Sequence, residues 1–216
     1  MNGLKLACLY SIGCPVSGVN EKLKSYFQTP NPSRELEKEI SLMLRSLKPF
    51  RKYQVITGRL GLKGLTFFAE EVVRAYWLGE GISGLAWGPS HTHNFSVLGK
   101  VNSLRTEKDL EDEAVNKLLG CAISFGEVVD VDSGKIRLLS HGLVFEGGKI
   151  DLVFDREKEV DIGFVDSPQK DRLVSVHLNV AREEISIEQA EHLAHSTLKS
   201  LSILGMVSKA KHLQRA

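Results

Sequence analysis

Gly120-Cys121-Ala122-Ile123-Ser124-Phe125-Gly126-Glu127-Val128-Val129 is the stretch at which the chain changes its periodicity. Upstream, apolar residues recur at helical spacing. Downstream, short β-branched runs alternate with glycine, aspartate and serine. Gly120 ends the last helical pattern, and the residues after it read as a strand that opens on a cysteine. Val174-Ser175-Val176-His177-Leu178-Asn179-Val180-Ala181 is a second such run, with a lone histidine inside it. A thiolate and an imidazole on adjacent strands make a compact, soft site for a transition metal or a reactive carbon.

Working back from Gly120, a helix is predicted near residues 107–119, with Leu110, Ala114, Val115, Leu118 and Leu119 on one side. Its acidic start, from Glu107 to Glu113, suits the positive end of a helix dipole. Phe67, Phe68, Val72, Tyr76 and Trp77 define another helix, stopped by Gly79 and Gly81. Leu36, Ile40, Met43, Leu44 and Leu47 form the stripe of a third, opened by Asn31-Pro32-Ser33. Pro49 interrupts that stripe, and Gly58, Gly61 and Gly64 mark a loose connection.

Working forward, strands are expected over 122–131, 135–145, 149–154, 160–165 and 172–180. Asp132-Ser133-Gly134 and Glu146-Gly147-Gly148 supply hairpin turns. Ser186 with Gln189 is a capping box that opens a last helix carrying Ala190, Leu193, Ala194, Leu198 and Leu201. The pattern predicts an α+β protein: a helical domain over 1–119, then a small five-stranded sheet or barrel with a C-terminal helix over 120–216.

Composition narrows the function classes. A chain of 216 residues, 42% of them hydrophobic, can bury one sizeable core or two small ones. A formal net charge of +1 argues against a dedicated nucleic-acid binder. No apolar run approaches the ~20 residues of a membrane span, and the N-terminus lacks the layout of a signal peptide, so a cytoplasmic protein is expected. Cys8, Cys14 and Cys121 are odd in number and widely spaced, which reads as free thiols. Cys8, in Leu6-Ala7-Cys8-Leu9, reads as a small hydrophobe. Gly58-x-x-Gly61-x-x-Gly64 lacks the Lys-Ser/Thr of a P-loop.

Two further elements are candidates for chemistry. His91 and His93 flank Thr92 in a loop; on an extended strand, histidines at i and i+2 point to one side and can share a metal. Cys14 lies in the tight turn Ile12-Gly13-Cys14-Pro15, where it could join His91 and His93 as a ligand, act as a nucleophile, or simply pack. Trp77 and Trp87 read as packing anchors. His141, His192 and His195 read as structural.

The C-terminal half resembles the small hydrogenase-assembly chaperones of the HypC/HupF type. Cys121, Gly126 and Val128 keep the spacing of their opening Cys-x-x-x-x-Gly-x-Val. Val174, Val176, His177 and Ala181 fit their Val-x-Val-His-x-x-x-Ala strand, and Ile187-Glu188-Gln189-Ala190-Glu191 fits the start of their next helix. The whole chain also resembles a family of similar length encoded near nickel–iron hydrogenase genes, through Gly13-Cys14-Pro15, the segment from Val72 to Gly79 and that from His91 to Val97. The chaperone resemblance implies an OB-like β-barrel and iron held by the Cys121 thiolate, with His177 as a nearby ligand or proton partner. Outside that resemblance, Cys14, His91 and His93 are read as a second site or as facing the first. The resemblance implies an accessory role in nickel–iron hydrogenase assembly, with a hydrogenase large subunit or another assembly factor as partner. The chain departs from the chaperones in two ways. Their cysteine becomes the N-terminus, with a free amine beside it, whereas 120 residues precede Cys121; and Phe125 replaces a proline. A Cys–His enzyme acting on a small carbonyl or amide, and a protein-interaction module without chemistry, are the competing classes.

Overall fold

The computed structural model describes residues 2–13, 19–62, 67–107, 111–146 and 148–206. Helices fill the first half: α1 (Gly3–Ser11), α2 (Asn20–Gln28), α3 (Arg34–Arg45), α4 (Pro49–Arg59), α5 (Glu70–Leu78), α6 (His93–Glu107) and α7 (Asp112–Leu119). The strands are β1 (Ser124–Asp132), β2 (Lys135–Glu146), β3 (Lys149–Asp161), β4 (Leu173–His177) and β5 (Val180–Glu184), and α8 (Ile187–Ile203) closes the order. The architecture is therefore α+β with a five-stranded sheet.

Local chemistry explains many of these boundaries. Ser33 caps α3 by accepting the Leu36 N–H at 3.2 Å. Ser186 and Gln189 form the capping box of α8 in both directions, at 2.9 and 3.1 Å. Such a cap contributes about 1 kcal/mol. Pro49 does not interrupt a helix but begins one. It stands in the first turn of α4, where its missing N–H would have had no intrahelical partner. Residues 63–66, with Gly64, lie outside the described residues.

Sheet pairing runs β1-β2-β3-β5-β4 and returns to β1, so the order closes on itself. All pairs are antiparallel except β3 with β5, which meet through Asp161 and Val180. The β1–β2 hairpin turns through Ser133 and Gly134, both at positive φ, as a two-residue turn of the right twist requires. Three expected strands are corrected: 149–154 and the start of 160–165 belong to one long strand, β3, and 172–180 breaks into β4 and β5 at Leu178-Asn179.

Val128, Ile136, Leu138, Val160, Val174, Val176 and Ala181 pack inside the closed sheet. The main core lies outside it. Leu6, Leu9, Ile40, Tyr53, Val73 and Trp77 from the helices pack with Ile123 and Phe125 of the β1 region and with Ile185 and Leu193. One apolar core thus runs across position 119, where the helical segment ends. A third cluster joins α6, α7 and α8 to the β2–β3 hairpin through Leu98, Val115, Leu201, Phe145 and Ile150.

Candidate functional site

β4 is the strand between these two cores, and that decides where its side chains go. Val174 and Val176 face the interior of the sheet, so Ser175 and His177 must face the helices. All four are buried. Leu178 and Asn179 then turn the chain at φ 54° and 61°, and His177 pairs with Val180 across the turn. The histidine is therefore the last residue of a strand covered on both faces.

Cys121 stands just past the C-terminus of α7. Its N–H returns to Leu118 O at 3.1 Å, and the preceding Gly120 O accepts the Leu178 N–H at 3.2 Å. That bond ties the helix end to the turn after His177. On the other side, the Asn94 side chain grips Ile123 like a strand partner. Its Oδ1 accepts the Ile123 N–H at 2.7 Å, and its Nδ2 donates to Ile123 O and to Thr197 Oγ1, both at 2.9 Å.

His93 enters from the helical half. Thr92 caps α6 by accepting the Phe95 N–H at 3.3 Å, so His93 is the first residue of α6 and points back toward α5. Its Nε2 lies 2.8 Å from Cys121 O, and its Nδ1 3.3 Å from the Tyr76 hydroxyl. Trp77 forms the wall behind both imidazoles, with ring centroids 4.3 Å from His93 and 5.7 Å from His177. The Trp77 Nε1–H is satisfied by Tyr53 Oη at 2.7 Å.

Three donor atoms thus converge. Cys121 Sγ is 3.6 Å from His177 Nε2 and 3.9 Å from His93 Nε2, and all three lie within 4.8 Å of one another. Tetrahedral bonds of about 2.3 Å to sulfur and about 2.0–2.1 Å to nitrogen place such donors about 3.5 Å apart. The spacing fits a shared metal ion with small adjustments. Burial pushes the His177 pKa down to about 4, against the opposing pull of Cys121. A neutral imidazole at physiological pH presents a lone pair, as a ligand must. The same shift makes His177 a weak general base, since proton abstraction near pH 7 needs a pKa near 7.

A model of a family of unknown function, DUF6390, matches residues 82–211. The chain belongs to this family. No curated protein and no solved structure matches it. The DUF6390 match contains His93, Cys121 and His177, as well as Asn94, which pins the cysteine loop. Tyr76 and Trp77 lie upstream of it.

The structure treats the remaining sequence candidates differently. His91 and His93 do not share a strand. His91 ends a 3₁₀ turn at Pro89–His91, stacks edge-on against Trp87, and places its Nδ1 2.8 Å from Trp87 O. It is not part of the three-donor group. Cys14 lies outside the described residues. Cys8 is fully buried, and burial pushes its thiol up to about 12, which suits an inert core residue. His141 sits within β2, stacked on Phe125. Sequence reasoning gives no role to Asn94 or Arg182, and it reads Tyr76 only as part of a helix stripe. Arg182 is buried on β5 and donates to Leu9 O, Ile12 O and His177 O at 3.0, 2.9 and 3.2 Å. It fixes the end of α1 and the carbonyl of His177 together. A capping box is readable from spacing; a side chain that bridges distant carbonyls is not.

Proposed function

We propose that this protein handles iron through His93, Cys121 and His177, as an accessory factor in nickel–iron hydrogenase assembly. The observation that carries the reading is the convergence of one thiol and two imidazoles from three separate elements. The strand order, closing as β1-β2-β3-β5-β4, suits the OB-like barrel that the resemblance to the HypC/HupF-type chaperones implies. By that resemblance, Cys121 and His177 correspond to the chaperone cysteine and histidine. The chaperones also have a terminal amine beside their cysteine; in this chain His93 brings a nitrogen donor to the same sulfur.

In such a site Cys121 supplies the anionic donor, the two imidazoles supply neutral ones, and Trp77 keeps water from one side. Iron, when bound, would offer further positions to strong-field ligands. A hydrogenase large subunit or another assembly factor is the partner this reading requires.

Metal analysis of anaerobically purified protein, beside Cys121→Ser, tests the proposal. Iron in the wild type and its loss in the variant are expected, and infrared bands of iron-bound carbon monoxide or cyanide would extend the result to the cofactor fragment. Absence of metal with a low-pKa, alkylation-prone thiol would favour an enzyme using Cys121 as nucleophile. Absence of metal with an unreactive thiol would favour an interaction module.

A further inference from the structure

The interior of the closed sheet is apolar over most of its length and polar at one end. Val128, Leu138, Val160 and Val176 fill the apolar part. The pairing register carries the same face outward to two serines: Gly126 lies opposite Ser140, and Ser124 opposite Val176. On β3 the alternation that puts Val160 inside carries the same face to the half-buried Lys158 and, at the open end, to the exposed Arg156. Leu138 is opposite Lys158, and Ser140 opposite Arg156, and cross-strand partners share a face.

A cavity of about 480 Å³ occupies this end, lined by Ser124, Ser140, Arg156, Lys158 and Val176 among others. The register shifts between Ser140 and Gly142. At Gly142 a Cβ would stand 3.0 Å from that of Ser124, so a larger residue there would crowd the opening. The cavity is distinct from the His93–Cys121–His177 group. Gly120 and Ala122 line it but Cys121 does not, and Val176 and Leu178 line it but His177 does not. The two sites lie on opposite sides of one wall.

The lining carries an unbalanced charge. Lys117, Arg156 and Lys158 are set against the single acid Glu157. Neither Arg156 nor Lys158 has a carboxylate within ion-pair distance among the described residues. Burial, with Arg156 beside it, lowers the pKa of the Lys158 ammonium. Lys158 is half-buried and Arg156 exposed, so the two like charges meet at the open end of the cavity, where a counter-charge would relieve their repulsion.

We propose that this cavity binds a small organic anion, its oxyanion headgroup held by Arg156, Lys158 and the hydroxyl of Ser124. The guanidinium fork matches two oxygens of a carboxylate or phosphate. Leu143 and Val176 offer apolar surface to a short hydrocarbon body. The volume lies within the range of about 300–1,000 Å³ usual for small-ligand pockets. The inference does not depend on the metal reading.

Calorimetric titration of the full chain with benzoate, phenyl phosphate and benzamide tests it. The three share a ring and differ in headgroup and charge. Saturable one-site binding of at least one anion, without binding of benzamide at the same concentrations, is expected. Tighter binding of phenyl phosphate would indicate a phosphate ester, and of benzoate a carboxylate. Arg156→Gln combined with Lys158→Gln should weaken the anion at least tenfold, whereas Lys24→Gln, on α2, should not. Should the double variant melt early, Arg156→Gln alone, at an exposed position, supplies the comparison. Metal content should be the same in wild type and variants, which separates this test from that of the metal site. Benzamide binding as tightly as the anions, unchanged affinity in the Arg156 variants, or no saturable binding of either anion would overturn the proposal.

Discussion

Cys121 Sγ and His177 Nε2 lie 3.6 Å apart although 56 positions separate them in the chain. Two hydrogen-bonded clamps hold that distance. Gly120 O binds the N–H of Leu178, and Asn94 binds both backbone groups of Ile123. The thiol therefore sits on a loop fixed at both ends, and His177 on a strand covered on both faces.

Asn94→Ala should test the second clamp. It leaves the buried N–H and C=O of Ile123 and the Thr197 hydroxyl without this partner. A buried group deprived of its partner costs about 1–3 kcal/mol, so a loss of about 3 kcal/mol in chemical denaturation is expected. The freed loop should also raise the rate of Cys121 alkylation in metal-free protein. An alkylation rate equal to the wild type's would show that Asn94 serves stability alone.

His177 was legible because it interrupts a β-branched run, where strand periodicity fixes its face. Cys121, expected on an adjacent strand, lies instead on the loop between α7 and β1, where no periodicity tells which way its thiol points. His93 was legible as a candidate, but its geometry was not. His93-Asn94-Phe95-Ser96-Val97-Leu98-Gly99-Lys100 mixes polar and small residues and shows no apolar stripe, because α6 buries polar as well as apolar side chains. Thr92, His93 and Asn94 are all buried. The length of β3 was hidden for a related reason. Asp155-Arg156-Glu157-Lys158-Glu159 reads as a charged loop, but this part of the strand runs along the polar end of the sheet, where charge replaces the apolar alternation.

Stability of the metal-free protein should depend on pH through His177. Burial lowers its pKa from 6.5 to about 4 in the folded state, so between these values the unfolded chain binds the extra proton. Stability is then fully present above about pH 6.5 and lost as pH falls toward about 4, by up to about 3 kcal/mol. Urea unfolding with chelator present, at pH 7 and 4.5, should show this loss in the wild type. His177→Leu should flatten it. Equal slopes in the two proteins would assign the pH dependence to other groups.

Gly79 ends α5 at φ +76°, and a Cβ there would stand 2.7 Å from that of Ser196 on α8. Gly81 has a similar φ of +70° with nothing within 4 Å. Gly81→Ala should cost only the left-handed backbone penalty, about 1–2 kcal/mol. Gly79→Ala adds a steric clash worth about 1–3 kcal/mol more, because α8 must move. Comparing their urea midpoints isolates the docking of α8 against α5. Equal midpoints would mean that α8 shifts freely.

Tyr76 should control the metal site through proton placement rather than contact. The His93 Nε2 that faces Cys121 Sγ also lies 2.8 Å from Cys121 O. While that nitrogen carries the proton, it donates to the carbonyl and has no lone pair for a metal. Ligation through Nε2 requires the proton on Nδ1, where the Tyr76 hydroxyl, 3.3 Å away, can accept it. Partners of this kind fix the tautomer of a ligating histidine, and their loss typically costs 10–100-fold in metal affinity. Tyr76→Phe keeps the ring that packs on Trp77 and His93 and removes only the acceptor. Competition with a chromogenic chelator should therefore show affinity falling at least tenfold while the unfolding midpoint barely changes. Unchanged affinity would mean that His93 binds without the tautomer shift, or does not bind at all; metal retention in His93→Ala distinguishes these.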